Sequence, residues 1–134
     1  MPESHQRFLV IRLSSIGDIV HALPAVAALG RAHPQAEIHW VVEDRFSDLL
    51  SANPYVSRVI KLDTLGWRKS PASGSTMAEI LQGFQALREY QYDAAIDFQG
   101  LMKSAIFSRL CHSQRRIGLF ICKCVILNPK CLRL

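Results

Sequence analysis

A regular alternation of short apolar runs with segments of helical spacing is the feature that most constrains how this chain can fold. The first run, residues 8–13, reads Phe-Leu-Val-Ile-Arg-Leu, and a polar turn follows it at once at residues 14–18. Short runs of branched apolar residues are typical of strands buried on both faces of a parallel sheet. A second strand is predicted at residues 37–42, which alternate and then become fully apolar, and further strands are predicted at residues 57–62 and 92–97 and from residues 115–119 onward.

Segments with helical spacing lie between these runs. The first helix is expected to begin near Asp18 and to end before Pro34, with Pro24 either bending it or lying near a broken first turn. A loop is predicted at residues 64–75, which are rich in glycine, proline and serine. Further helices are predicted at residues 46–51, 77–90 and 101–111. Repeated strand–helix units with short connections predict an α/β fold, a Rossmann-like parallel sheet with helices on both faces.

The length and the last residues bear on domain organisation. A chain of 134 residues allows one compact domain, whereas a two-domain enzyme usually needs roughly twice as many or more. Residues 1–120 carry the alternating pattern, whereas residues 121–134 have no acidic residue, no turn–helix pattern and three of the four cysteines. We therefore expect an incomplete N-terminal domain at 1–120 and an atypical tail at 121–134 that comes from a frameshift or an early stop.

The cysteines and the hydropathy disfavour several classes of protein. Cys122 and Cys124 are spaced C-x-C with no second pair, unlike the paired C-x-x-C knuckles of a zinc ribbon, and disulfides are unpromising in a cytosolic chain. The longest apolar stretch, residues 19–29, is too short to span a membrane. The apolar residues 8–11 are too few for the core of a signal peptide. We expect a cytoplasmic protein without a metal site.

The net charge is modestly positive. The chain carries 16 lysine and arginine residues against 11 aspartate and glutamate residues, a net charge of +5. This excess favours encounter with anionic partners such as phosphates, acidic glycolipids or nucleic acid. A solvated basic surface without a function explains the excess equally well, so the charge alone selects no partner.

The loops after the strands are where a ligand site is expected, because ligands of open α/β sheets bind outside the carboxyl ends of the strands. The first loop, residues 12–18, contains neither G-x-G-x-x-G nor G-x-x-x-x-G-K-[ST], so a dinucleotide-binding oxidoreductase and a P-loop protein are both disfavoured. Asp18 has a structural explanation, since carboxylates are favoured in a first helical turn. His21 shares a helix face with Asp18, although a lone histidine on a mostly apolar helix is more often a core or rim residue.

Four separated motifs occur in the same order as in a known family. They are Leu-Ser-Ser-Ile-Gly-Asp-Ile-Val-His-Ala-Leu-Pro at 13–24, His-Trp-Val-Val-Glu at 39–43, Trp-Arg-Lys at 67–69 and Tyr-Asp-Ala-Ala-Ile-Asp-Phe-Gln-Gly-Leu-Met-Lys-Ser at 92–104. Over residues 7–119 the chain resembles the lipopolysaccharide heptosyltransferases of glycosyltransferase family 9. The resemblance implies a GT-B fold, in which two Rossmann-like domains face a cleft. The N-terminal domain receives the lipid-linked acceptor, and the C-terminal domain holds ADP-heptose.

The resemblance also implies a mechanism, the inverting and metal-independent transfer of heptose to a Kdo sugar of the lipid A inner core. Asp18 matches the catalytic aspartate of the family, so its implied role is general base toward the acceptor hydroxyl. A carboxylate within hydrogen-bond reach can take the proton as the new C–O bond forms, even though its pKa is far below that of the hydroxyl. The chain contains no D-x-D motif, which agrees with a transferase that uses no divalent cation.

The candidate substrate-binding residues lie in three loops and the helix starts beside them. They are Arg12, Ser14, Ser15, Gly17, His21, Trp67, Arg68, Lys69, Gln99, Gly100 and Lys103. The cations among them suit the phosphates and carboxylates of an acceptor, arginine through paired hydrogen bonds and lysine as a point charge. Solvated loop charges are the alternative at residues 67–69. Close helix packing explains Gly100 nearly as well as a ligand contact, and a mainly structural role is favoured for Asp97 and Gln99.

The implied partners are Kdo-lipid A and ADP-heptose, the latter bound mainly by a C-terminal domain missing from this chain. No cofactor and no nucleic acid are expected, and the inner face of the cytoplasmic membrane is an expected peripheral partner. A type II heptosyltransferase or another family 9 transferase is the nearest rival, because acceptor choice depends partly on loops and partly on the missing half. A truncated fragment without activity, at best a weak binder of anionic glycolipid, is the alternative from another class.

Overall fold

The computed structural model describes residues 6–120 and 123–124, and a parallel sheet forms its centre. The strands, in chain order, are β1 (Arg7–Ile11), β2 (Glu37–Glu43), β3 (Arg58–Leu62), β4 (Gln91–Asp97), β5 (His112–Phe120) and β6 (Lys123–Cys124). They lie side by side in the order β3-β2-β1-β4-β5-β6. The first five are parallel to one another, and β6 pairs antiparallel with β5.

Helices connect the parallel strands. They are α1 (Ile16–Ala32), α2 (Thr64–Lys69), α3 (Gly74–Arg88) and α4 (Met102–Leu110), with a 3-10 helix at Asp44–Leu49 between β2 and β3. Within the described residues, no helix is long and apolar enough to cross a membrane.

Each face of the sheet has its own apolar cluster. Val10 of β1 belongs to one cluster, on which α1 packs, whereas its neighbours Leu9 and Ile11 belong to the other. Leu87 of α3 and Phe107 of α4 pack into the cluster that contains Leu9 and Ile11. Successive residues of a strand point to opposite faces, so this alternation places helices on both sides. The predicted α/β parallel sheet with helices on both faces is therefore confirmed.

The strand order brings two loops together at one edge of the sheet. β1 lies between β2 and β4, so the order reverses beside β1, and crevices at such reversals are common ligand sites in open α/β sheets. Ile11 and Asp97 are register partners at the carboxyl ends of β1 and β4. The loops that follow these two residues therefore leave the sheet side by side.

The prediction of a loop at residues 64–75 is wrong, because α2 occupies the first half of this segment and α3 begins at Gly74. A carboxylate oxygen of Asp63 accepts a hydrogen bond from the backbone N–H of Gly66 at 2.8 Å, which satisfies one of the free donors at the start of α2. Trp67 packs against the apolar cluster beneath this helix. Capping and tertiary packing thus outweigh the low helix propensity of the segment.

The first helix also differs from the prediction. It begins at Ile16, two residues before Asp18, and it continues through Pro24 to Ala32, so the predicted broken first turn at Pro24 is wrong. The predicted tail at 121–134 lies outside the described residues except for Lys123 and Cys124, which form β6. Its origin, and the boundary at residue 120, stay predictions.

Candidate functional site

The guanidinium group of Arg12 joins two loops at the carboxyl edge of the sheet. Its Nη2 lies 2.7 Å from Oδ2 of Asp18, and its Nη1 donates a hydrogen bond to the backbone carbonyl of Phe98. The Arg12 side chain is 13% exposed and that of Asp18 is 48% exposed. Arg12 is thus a largely buried support, and the carboxylate that it holds faces solvent.

The carboxylate of Asp18 also accepts hydrogen bonds from its own helix start. The backbone N–H and the hydroxyl of Ser15 both donate to Oδ2 of Asp18, each at 3.1 Å. These bonds, followed by the positive charge of Arg12, lower the pKa of the Asp18 carboxyl from its ordinary value of 3.8. Asp18 is therefore ionised at neutral pH and held in place. The same contacts cap the helix, so both the structural and the catalytic interpretation of Asp18 fit the geometry.

The turn after β4 is built around the buried carboxylate of Asp97. Its Oδ1 accepts from the backbone N–H groups of Gln99 at 2.8 Å and Gly100 at 3.2 Å, and its Oδ2 accepts from the Ser104 hydroxyl at 2.7 Å. Gly100 has φ 66°, a conformation that favours glycine. Oε1 of Gln99 in turn accepts from the backbone N–H of Leu13 at 2.8 Å. These contacts agree with the structural role favoured for Asp97 and Gln99, and they fix the loop that leads to Asp18.

Four further predicted residues lie close to Asp18, at or just before the start of α1: Ser14, Ser15, Gly17 and His21. Together with Arg12 and Asp18 they form what we call the Asp18 cluster. A side-chain carbon added at Gly17 meets nothing within 4 Å, so the space beside this glycine is open. His21 is exposed one turn further along the helix. Ser14 donates its backbone N–H to Gln99 at 3.4 Å, and the peptide bond between Ser14 and Ser15 is cis. Their roles toward a ligand stay predictions.

A second cluster of predicted residues lines a groove of about 350 Å³ between α2, α3 and α4. We call it the α3–α4 groove; its lining includes Trp67, Arg68, Ile80, Phe84, Lys103 and Ile106. Lys103 is thus brought beside Arg68, while Lys69 is exposed at the end of α2. No hydrogen bond or ion pair between described residues links this groove to the Asp18 cluster. The structure therefore divides the predicted site residues into two groups.

Sequence reasoning missed three contributors to these groups. The backbone carbonyl of Phe98, which holds Arg12, leaves no signature in a side-chain pattern. Ile80 and Phe84 have the spacing of core residues, yet both line the groove and are only partly buried. Their exposure depends on how closely α4 approaches α3, which periodicity does not report.

The sequence predicts that the chain has no metal site. Across residues 6–120, no group of three or more histidine, cysteine, aspartate or glutamate side chains is arranged to hold a metal ion. Cys111 is buried, and burial raises the pKa of its thiol. The other three cysteines lie among residues whose side chains are not described. The metal-independent mechanism stays a prediction.

Comparison with known proteins places this geometry in a family. The family model of glycosyltransferase family 9 (heptosyltransferase) matches residues 80–121. Lipopolysaccharide heptosyltransferase 1 of Pseudomonas aeruginosa is 40% identical over 103 residues, which are 77% of this chain and 29% of that protein. The enzyme of the same name from Escherichia coli K12 is 41% identical over 107 residues, 79% of this chain and 34% of that protein.

The solved structures agree with the sequences. The structure of E. coli heptosyltransferase WaaC with ADP matches 84% of this chain and 35% of its own, with a TM-score of 0.79 and 39% identity. The chain belongs to glycosyltransferase family 9. The structure of E. coli ADP-heptose lps heptosyltransferase II matches 84% of this chain and 30% of its own, with a TM-score of 0.65 and 26% identity. The chain spans about a third of the length of the curated relatives it matches.

Proposed function

We propose that this family 9 chain forms the acceptor side of a heptosyltransferase that moves heptose from ADP-heptose to a Kdo sugar of the lipid A inner core. The observation that carries the proposal is the ionised, half-exposed carboxylate of Asp18, held by Ser15 and Arg12 at the reversal of strand order. The solved relative named above binds ADP, which supports a nucleotide-sugar donor. The chain is 41% identical to the E. coli protein named lipopolysaccharide heptosyltransferase 1 and 26% identical to the type II enzyme, which favours the type I acceptor.

The proposed chemistry uses Asp18 as a general base. The acceptor hydroxyl oxygen attacks the anomeric carbon of heptose while Asp18 takes its proton, and the bond from that carbon to the diphosphate breaks with its electron pair leaving on ADP. Attack opposite the leaving group inverts the anomeric centre. A carboxylate with a lowered pKa takes the proton only as the new bond forms, so Asp18 contributes to catalysis through its position rather than through its basicity. Arg12 is a positioning residue for Asp18 in this scheme.

The acceptor carries negative charge, and the chain offers cations to meet it. We assign Arg68, Lys69 and Lys103 to the phosphates and carboxylates of the acceptor, because arginine and lysine are the usual partners of such groups. Ser14, Ser15, Gly17, His21, Trp67, Gln99 and Gly100 complete the proposed contact set. The amide nitrogen of Gln99 donates to no other described group, so it is free to donate to a sugar hydroxyl. The proposed place of action is the cytoplasmic side of the membrane, with peripheral attachment.

The test is a chimera in which residues 7–119 replace the matching segment of the E. coli enzyme. Asp18→Asn keeps the shape of the side chain and removes its basicity, so we expect kcat to fall at least about a hundredfold while the KM for Kdo-lipid A changes little. The measurement is ADP release from ADP-heptose in the presence of Kdo-lipid A. Asp44→Asn, which changes an exposed carboxylate on the 3-10 helix, is the matched control and should leave turnover unchanged.

Unchanged turnover in Asp18→Asn would remove the base assignment. The 134-residue chain assayed alone separates the transferase from a binding-only product. We expect it to release no ADP, because a base alone does not stabilise a departing diphosphate. Turnover by the chain alone would contradict this expectation.

A further inference from the structure

The α3–α4 groove is lined by apolar and basic side chains. Trp67, Ile80 and Phe84 are among its apolar lining residues, and Arg68 and Lys103 are its basic lining residues. Neither of these two cations forms an ion pair with a carboxylate among the described residues. Both charges are therefore free to meet an anion outside the chain.

Large apolar side chains are exposed on the two helices that border the groove. On α4, Met102 is 76% exposed and Ile106 is 54% exposed, and on α3 Met77 and Leu81 are 53% and 54% exposed. Within each helix the two residues are four positions apart and so lie on one face, and α3 packs against α4. Several large apolar side chains exposed on neighbouring helices are typical of an interaction site in soluble proteins.

We propose that this two-helix face docks on a lipid bilayer that contains anionic lipids. Apolar side chains beside solvated cations are the pattern of helices that lie in a membrane interface, where the side chains enter the acyl boundary and the cations pair with lipid phosphates. The proposal deepens the proposed function, on which it rests for its purpose, because it names the surface that brings the domain to a lipid-linked acceptor.

The place of this face in the fold suits that purpose. α2 follows the carboxyl end of β3, and α4 starts after the carboxyl end of β4, so the mouth of the groove lies at the same edge of the sheet as Asp18. A bilayer against the groove would therefore lie at the edge of the sheet that carries the candidate site.

Two alternatives fit the charges less well: a contact between two copies of the chain, and membrane docking through α1. A symmetric contact between two groove faces brings two copies of the same basic patch together, so that like charges face each other. The α1 face carries comparably exposed apolar residues, Ile16 at 54% and Val20 at 49%, yet these flank the carboxylate of Asp18, which anionic lipid repels. The α1 face therefore provides a matched control of equal apolar exposure.

The experiment measures sedimentation of the 134-residue chain with vesicles, in the absence of donor and acceptor. We expect binding to vesicles of phosphatidylcholine mixed with phosphatidylglycerol and little binding to phosphatidylcholine alone. The double variant Leu81→Ser/Ile106→Ser should lower the partition coefficient about tenfold. The control Ile16→Ser/Val20→Ser should leave it within about twofold. All four side chains are about half exposed, and circular dichroism confirms that each variant is folded.

The charges are tested separately. Arg68→Gln and Lys103→Gln should each lower binding to the anionic vesicles about fivefold at low salt, whereas Arg31→Gln, on the exposed side of α1, should not. The proposal is overturned if the unchanged chain fails to bind anionic vesicles or if the α1 control loses as much binding as Leu81→Ser/Ile106→Ser. It is also overturned if the chain self-associates without vesicles and Leu81→Ser/Ile106→Ser abolishes that association. The vesicle results are independent of the Asp18 chimera, so either proposal can fail alone.

Discussion

At the scale of single residues, Asp97 shows how one buried carboxylate fixes the turn beside the candidate base. It is 5% exposed and accepts three hydrogen bonds, from two backbone N–H groups and a serine hydroxyl. Asp97→Ala leaves these donors without an acceptor in a buried place. We expect the free energy of unfolding to fall by about 3 kcal/mol, measured by urea denaturation.

The control for this prediction is the same substitution at an exposed carboxylate. The side chain of Asp48 makes no hydrogen bond among the described residues and lies on the exposed 3-10 helix. Asp48→Ala should change the free energy of unfolding by no more than about 0.5 kcal/mol. Equal urea midpoints for the two variants would show that the Asp97 carboxylate does not hold the turn.

At the scale of elements, two glycines in first helical turns make it possible to distinguish an effect on stability from an effect on ligand binding. Gly17 in α1 and Gly74 in α3 both have open space where a side-chain carbon would be added. Alanine restricts the unfolded chain and favours helix, so Gly17→Ala and Gly74→Ala should each stabilise the fold by up to about 1 kcal/mol. Thermal unfolding measures this gain.

Only Gly17 belongs to the proposed site, so the two variants should differ in the chimera. A methyl group at residue 17 enters the space proposed for substrate, and we expect Gly17→Ala to lower kcat/KM for the acceptor about tenfold. Gly74→Ala should leave kcat/KM unchanged. If both variants gain stability and keep full activity, the assignment of Gly17 to the substrate site is wrong.

The elements also show why part of the fold was predictable. β1, β2 and β3 follow from local runs rich in branched apolar residues, and all five parallel strands were placed within a few residues of their observed positions. α2 was missed because its glycine, the neighbouring serines and Pro71 are typical of a loop. Two contacts stabilise α2: the hydrogen bond from the Gly66 N–H to the Asp63 side chain, and the packing of Trp67 against the apolar cluster. Periodicity does not contain that information.

At the scale of the whole molecule, the site joins residues that are far apart in the sequence. Arg12 and Phe98 are 86 positions apart, and Gln99 reaches back equally far to Leu13. The sequence predicted that loops after the strands carry function, but which loops touch depends on strand order. The resemblance to family 9 is the source of the role proposed for Asp18, whereas the contacts of Arg12 with Asp18 and Phe98 are visible only in the structure.

The opposite edge of the sheet carries a buried group whose protonation is coupled to folding. His39 of β2 is 3% exposed, and its Nδ1 lies 3.0 Å from the Tyr92 hydroxyl. Burial lowers the pKa of His39 from its ordinary value of 6.5, partly offset by the nearby carboxylate of Glu37. The folded chain therefore binds a proton at this imidazole less readily than the unfolded chain does.

The sign of the effect on stability follows from this difference. The contribution of neutral His39 is fully present above pH 6.5 and is lost as the pH falls toward the folded pKa, because the unfolded chain takes up the proton first. The lowered pKa values of the Asp18 and Glu89 carboxyls act in a separate window, below their ordinary values of 3.8 and 4.5. Urea unfolding between about pH 7.5 and about pH 5.5 should thus show a loss of stability that His39→Gln reduces. Parallel pH profiles for the chain and the variant would mean that the acid sensitivity arises elsewhere than at this edge of the sheet.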